Sequence, residues 1–351
     1  MEQVFTILKE MVRRNASDLY ITVGVPPMMK VDGALLELPQ YSRFSQAETE
    51  AFAHQLFTRE RDYQEFLDIG EKDFSLSLSE VGRFRINVFR QRGSCAVSVR
   101  RIYTELPDPF ALGIPATVMN LTERQKGLIL VTGPTGCGKT TTLAALIDKI
   151  NQERSCHVLT LEDPIEYLHR HKRSIINQRE IGTDSLSYER ALRAALRQSP
   201  DVILIGEMRD LETMAIALTA AETGHLIFST LHTVGAAKTI DRIIDVFPPN
   251  QQQQIRIQLS TVLQAVVSQQ LLPGAQGGLQ PAFEIMLVNS AIRNMIREGK
   301  TPQIDGVIQM NASQGMVTMD MSLAALLRQG RISREDALFY AVNPEAVLRY
   351  I

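Results

Sequence analysis

The stretch GPTGCGKTT, residues 133–141, constrains this chain more than any other. It follows the apolar run GLILVT and precedes TLAALIDKI, so it joins an expected strand to an expected helix. Its spacing is G-x-x-x-x-G-K-[ST], with Gly133, Gly138, Lys139 and Thr140 at the fixed positions. Glycines there let backbone N–H groups close on phosphate oxygens with no β-carbon in the way, and Pro134, Thr135, Gly136 and Cys137 complete the loop. Lys139 is expected on the β- and γ-phosphates and the Thr140 hydroxyl on Mg2+. Thr141 continues a helix whose positive end faces the anion. An ordinary glycine-rich turn leaves Lys139 without a reason. The stretch implies a nucleotide site that takes ATP with Mg2+.

Such a loop belongs at the end of a buried strand. From about residue 116 the runs GLILVTG, HVLTLED, DVILIGE and HLIFSTLHT alternate with amphipathic stretches. That grammar predicts an α/β domain over residues 116–351, its parallel sheet covered by helices on both faces. After Pro248 the chain reads as helical, through QQQQIRIQLSTVLQAVVSQQLL, AIRNMIREGK, SLAALLRQG and SREDALFYAV. A helical C-terminal extension over about 248–351 is therefore expected, with Gln251 to Gln254 on a solvated face.

Residues 1–100 read as a separate α+β unit. Val4, Phe5, Leu8, Met11 and Val12 form an apolar helical stripe, and DLYITVG follows as a strand. MMKVDGALLEL predicts a hairpin turning at Asp32-Gly33, and Ser45 with Glu48 spells a capping box. Phe74, Leu76 and Leu78 share one face of a strand, as do Phe84, Ile86 and Val88 of the next. Helices flanked by antiparallel strands suggest a PAS-like sheet. ELPDPFALGIP, with Pro107, Pro109 and Pro115, is taken within a linker at 101–115.

The acids are unusual. DVILIGEMRD places Gly206 where the first acid after such a strand is ordinarily an aspartate that helps hold magnesium, and only Glu207 remains. LTLEDPIEY ends another apolar run with Glu162 and Asp163, at the sheet edge where ligands of such folds bind. By themselves these two are a plain pair of turn acids; beside a phosphate loop they are candidates for the reaction. His225 and His232 bracket the strand LIFSTL, with no third ligand or cysteine pair to make a metal site. Arg85 and Arg100 lie in a run whose plain reading is a charged, solvated sheet face; the sharper reading takes a guanidinium to nucleotide phosphates.

Composition removes other classes. A formal net charge of −2 lacks the basic footprint of a general nucleic-acid binder. Cys95, Cys137 and Cys156 form no CxxC pair, so a cysteine zinc site is not expected. No run of about 18 apolar residues predicts a membrane span, and MEQVFTILKEMVRR does not read as a signal peptide. A cytoplasmic protein is expected.

Taken together, GPTGCGKTT, LTLEDPIEY, ILIGEMRD and TGHLIFSTLHT resemble the Walker A, Asp box, atypical Walker B and His box of the secretion ATPase superfamily of type II secretion and type IV pili. In that family glycine commonly stands at the position of Gly206. The resemblance implies a RecA-like ATPase domain behind a PAS-like one. It implies that Glu207 polarises the attacking water and supports the metal, with Glu162 and Asp163 supplying further charge and Asp163 near Mg2+. His232, and more weakly His225, would sense the nucleotide state, and N-terminal arginines such as Arg85 and Arg100 would reach the site. AIRNMIREGK, residues 291–300, is similar to an element of the PilT-type retraction ATPases, with Met295 in place of leucine. That branch implies a homo-hexameric motor at the inner face of the cytoplasmic membrane. It would act on a PilC-like platform protein, with an accessory retraction ATPase as a further partner. The rival readings are a PilU-like accessory ATPase with weak turnover and a DNA translocase.

Overall fold

Val4, Ile7, Leu8 and Met11 recur at i, i+3, i+4 and i+7, and all four are buried along one side of α1 (Glu2–Arg13). Phe5 belongs to a different face: it is exposed, and the Lys9 ammonium lies 4.4 Å from its ring centroid. The expected stripe is thus corrected by one residue, Ile7 replacing Phe5. The structure, a computed structural model, describes residues 2–31, 33–79, 81–102, 106 and 108–350, with the Glu2 side chain left out. Asp32 of the expected hairpin turn and Pro107 of the expected linker lie outside the described residues.

The chain divides into two units, the first comprising Met1–Glu105 with Pro164–Leu168 and the second Leu106–Asp163 with His169–Ile351. In the first, β1 (Asp18–Ile21), β2 (Met28–Val31), β3 (Ala34–Glu37), α2 (Gln46–Leu56), α3 (Glu60–Ile69), β4 (Glu71–Leu78), β5 (Gly82–Gln91) and β6 (Ser94–Ile102) follow α1. The strands form one antiparallel sheet in the order β3-β2-β1-β6-β5-β4. Phe84, Ile86, Val88, Val97 and Val99 point from it into a core shared with Phe52, Leu56 and α1. Ser45 caps α2 with the reciprocal Glu48 contact that its spacing predicts.

Two boundaries differ from the expected linker at 101–115. Arg101 and Ile102 extend β6, and Leu106 onward belongs to the second unit, where Ile114 is buried and Pro115 caps α4 (Ala116–Met119). Ile114 also donates its N–H to Pro109 O at 2.9 Å. Pro109 and Pro115 thus lie within a folded unit.

The second unit continues with β7 (Gly127–Thr132), α5 (Lys139–Glu153), β8 (His157–Glu162), β9 (Ile175–Glu180), α6 (Tyr188–Ala195), β10 (Val202–Ile205), α7 (Leu211–Glu222), β11 (Leu226–Leu231), α8 (Ala236–Asp245) and α9 (Pro249–Val262). Then come β12 (Leu263–Pro273), β13 (Leu279–Leu287), α10 (Ser290–Glu298), α11 (Ile304–Met310), α12 (Met319–Arg328), α13 (Arg334–Phe339) and α14 (Pro344–Tyr350). The sheet runs β13-β12-β7-β11-β10-β8-β9, parallel except for the β12–β13 pair. Leu128, Leu130, Leu159, Leu161, Ile203 and Ile205 face one core with α6 to α10, while Ile129, Val131, Val158, Val202 and Leu204 face the other with α5. Continuous apolar strands are what two covered faces require.

The helical reading of residues 248–351 needs correction. The expected long helix ends at Val262, and LQAVVSQQLLP becomes β12, paired in parallel with β7. Val266 and Val267 are buried on opposite faces, which suits a pleated strand between two cores. An apolar run this short does not by itself separate strand from helix. Gln251, Gln253 and Gln254 are exposed as expected. In α10, Ile292 and Ile296 are buried and Met295 packs beside them, but Ala291 is exposed.

One buried base gives this unit a pH dependence. Burial pushes the His169 imidazole down to about 4, with Lys172 adding to the shift and Asp148 opposing it. Its Nδ1 is buried without a hydrogen-bond partner. The unfolded imidazole, near 6.5, takes a proton first, so the folded chain binds fewer protons between pH 6.5 and 4. Stability therefore rises with pH across that window and is lost as pH falls through it, by about 3 kcal/mol at most. His169→Phe is expected to flatten this loss, read as melting temperature against pH.

Candidate active site

Strand register decides which side chains meet. Leu161 of β8 lies level with Ile205 of β10, which lies level with Ser229 of β11, which lies level with Leu130 of β7. Glu162, Gly206, Thr230 and Val131 therefore reach the carboxyl edge of the sheet together, and Glu207, His232 and the phosphate loop follow beyond them. Backbone bonds hold this line: Gly206 N–H donates to Leu161 O at 2.7 Å, and Met208 N–H to Thr230 O at 3.3 Å.

The loop itself is propped from β12. A β-carbon on Gly133 would lie 2.2 Å from the backbone oxygen of Gln269, a contact that no side chain tolerates. On Gly138 it would lie 2.8 Å from Gln269 Nε2, and φ there is +90°. The Gln269 side chain is buried, and its Oε1 accepts from Thr142 Oγ1 at 2.8 Å, which ties β12 to the first turn of α5. Pro134, Thr135 and Gly136 are exposed, and a β-carbon on Gly136 would meet nothing within 4 Å. The mouth of the loop is open. Lys139 is buried, and its Nζ donates to Gly133 O at 2.8 Å and Pro134 O at 2.9 Å. The ammonium thus holds the loop's own carbonyls at the place where phosphate oxygens would compete for it.

The carboxylates divide into a fixed one and two toward solvent. Glu162 is buried; its Oε1 accepts from Thr160 Oγ1 at 2.6 Å and Gln178 Nε2 at 3.1 Å. Asp163, next in the chain, is exposed. Glu207 Oε2 pairs with Arg209 Nε at 2.7 Å and lies 3.4 Å from His232 Nε2, and its side chain is 18% exposed. Glu207 is thereby confined from two sides yet reachable by water. Tyr188, the first residue of α6, brings its phenol into the same group: a β-carbon on Gly206 would lie 2.8 Å from Tyr188 Oη. Burial, joined by the charges of Asp163, Glu207 and Glu162, holds this phenol well above the ordinary tyrosine range, so it stays protonated.

The structure thus gathers the loop residues 133–141, Glu162, Asp163, Glu207 and His232 at one sheet edge. It does not gather His225. That residue precedes β11, roughly 20 Å along the strand from His232. Its Nδ1 lies 3.0 Å from Ala220 O and 3.3 Å from Thr223 Oγ1, where it closes the end of α7. The expected catalytic role for His225 is withdrawn on that ground: a residue at the amino end of a parallel strand cannot reach chemistry at the carboxyl end.

Arg85 and Arg100 belong to the first unit, where they face each other across β5 and β6. Arg100 Nε bonds Asp18 Oδ1 at 2.8 Å, and Arg85 Nε lies 3.9 Å from Asp73 Oδ1. These acids offset the like-charge pair on an open sheet face. Sequence reasoning missed Tyr188, Arg209 and Gln269. Arg209 stood in plain view two residues after Glu207; nothing local pointed to the other two.

For magnesium the available donors are the Thr140 hydroxyl and the carboxylates of Asp163 and Glu207, all hard oxygens of the kind that ion prefers. Among the described residues no group of three His, Cys, Asp or Glu could hold a metal unaided. A site completed by nucleotide phosphates needs no such cage. The residues fit the ion.

Comparison with known proteins identifies the family. A family model described as "Type II/IV secretion system protein" matches residues 2–279. The chain belongs to the type II/IV secretion ATPase family. This secretion ATPase is 46% identical over 337 residues to "Type IV pilus retractation ATPase PilT" of Pseudomonas aeruginosa, covering 95% of this chain and 96% of the relative. It is 50% identical over 286 residues to "Twitching motility protein" of Neisseria gonorrhoeae, covering 81% of this chain and 76% of the relative. A crystal structure of the pilus retraction motor PilT with bound ADP superposes with a TM-score of 0.92 at 49% identity, covering 98% of each chain. The mixed α/β architecture, with an N-terminal sheet unit ahead of a parallel-sheet ATPase unit, is therefore that of the family.

Proposed function

We propose that this chain is the ATP-hydrolysing motor of type IV pilus retraction, working in the cytoplasm as a homo-hexamer on a PilC-like platform protein of the inner membrane. The observation that carries this reading is end-to-end similarity to a retraction ATPase in a chain whose phosphate loop, Glu162, Asp163, Glu207 and His232 share one sheet edge. Among the described residues no helix is long and apolar enough to cross a membrane, so force would pass to the membrane through a partner.

In the proposed cycle Lys139 exchanges the carbonyls of Gly133 and Pro134 for the β- and γ-phosphates. Thr140 and Asp163 would hold Mg2+, which when bound neutralises charge on the phosphoryl oxygens. Glu207, its rotamer limited by Arg209 and His232, orients water for in-line attack on the γ-phosphorus. The N-terminal arginines Arg85 and Arg100 are candidates for neutralising charge that develops in the transition state.

The test is removal of the gene from its host followed by a count of surface pili. A retraction motor predicts an excess of pili and lost twitching; loss of pili would mean an extension motor and overturn the reading. Restored retraction in a strain with no other such ATPase is expected and would exclude a PilU-like accessory role. Turnover of the purified chain that depended on added DNA would instead favour a translocase.

A further inference from the structure

Gly206 cannot carry a side chain while Tyr188 stands where it does. The glycine is locked by its own backbone: its N–H bonds Leu161 O at 2.7 Å, and its carbonyl accepts from Thr230 Oγ1 at 2.6 Å. A β-carbon there would be 2.8 Å from Tyr188 Oη and 3.2 Å from Leu161 O. The space an acidic side chain would enter at this position is filled by a phenol from another element.

Tyr188 is set by its surroundings as firmly as Gly206. Ser187 caps α6, accepting from Arg190 N–H at 3.2 Å, so the aromatic ring leaves the helix at its first position. The ring packs against the core under β8 and β10. Its polar tip lies beside Gly206, where the charges of Asp163, Glu207 and Glu162 act on it, opposed by that of Arg209. An aspartate at 206 would add a fourth negative charge to these three. A phenol adds none and brings an O–H donor that carboxylates accept.

We infer that Tyr188 is a positioning residue of the hydrolytic site: its hydroxyl stands in the space left by Gly206, next to Glu207 in the chain, and offers a neutral O–H donor to the carboxylates there as nucleotide and Mg2+ bind. The inference rests on the proposed ATPase role of this site. It assigns the glycine a reason: Gly206 makes room for the donor. Loss of the hydroxyl would remove a donor from beside these acids, so their metal-binding orientation would be less populated.

The experiment has two arms on the full-length chain. In the first, Gly206→Ala is expected to lower the melting temperature, and Tyr188→Phe, which deletes the atom in its way, is expected to recover most of that loss in the double variant. Equal destabilisation by Gly206→Ala in both backgrounds would show that the hydroxyl does not occupy this space and would overturn the inference. In the second arm, Tyr188→Phe alone is expected to lower kcat about tenfold, the scale of one hydrogen bond to a charged group, and to raise the Mg2+ needed for half-maximal rate, with KM for ATP unchanged. Wild-type kcat and Mg2+ dependence in Tyr188→Phe would overturn the assignment while leaving the ATPase reading intact. A wild-type chain with no turnover would overturn that reading, and the positioning role with it, whatever the first arm gives.

Discussion

Glu207→Gln is expected to lower kcat for ATP hydrolysis by about 10²–10⁴ while nucleotide affinity stays within a few-fold of the wild type. The amide keeps the shape of the side chain and removes the charge proposed to orient water. It also removes the acceptor charge shared by Arg209 at 2.7 Å and His232 at 3.4 Å, so both are released toward solvent. Glu207 is partly exposed at the end of β10, not part of the core, and melting temperature should scarcely move. Single-turnover hydrolysis beside fluorescent-nucleotide binding separates the two effects. Full turnover in Glu207→Gln would leave the catalytic assignment without support.

Lys139→Ala acts on the other half of the site. Its expected result is loss of nucleotide binding by about a hundredfold or more, since a desolvated ammonium facing phosphate is worth several kcal/mol. The sharpest readout is thermal. At a concentration of about 100 times Kd, ATP should stabilise the wild type by about 2.7 kcal/mol, and the variant by close to nothing. Without nucleotide the variant loses the bonds from Nζ to Gly133 O and Pro134 O, so a modest drop in melting temperature is also expected. Arginine is a poor replacement: the bulkier, planar guanidinium does not fit a buried pocket lined by two carbonyls.

Much of the site was legible because its requirements are local. A phosphate loop needs glycine at particular steps, a lysine and a hydroxyl in sequence, and a strand before and a helix after; all of that is written within residues 127–153. The acids at 162, 163 and 207 were legible for the same reason, each ending an apolar run long enough to be a buried strand. His225 was misread because an apolar strand looks alike from either end. Only the parallel pairing of β11 with β7 says that His232, and not His225, shares an edge with the loop.

The C-terminal part shows the limit from the other side. VLQAVVSQQLL satisfies both a helix and a strand by composition, and its choice is made by β7, whose free edge takes β12 as a parallel neighbour. That choice shapes the site, because β12 brings Gln269 against Gly133 and Gly138 and bonds it to Thr142, 127 residues away in the chain. The same separation hides Tyr188, whose bearing on Gly206 depends on where α6 packs.

Sequence alone determined that this chain builds a phosphate-binding loop on a covered parallel sheet with carboxylates at the strand ends, because backbone dihedral limits and apolar periodicity act over a few residues. Tertiary structure alone decided which strand props the loop, which histidine shares its edge of the sheet, and what a side chain at 206 would meet. Those outcomes depend on atoms brought into contact from distant parts of the chain, and no local preference encodes a distance of 2.8 Å between a phenol oxygen and the site of an absent β-carbon.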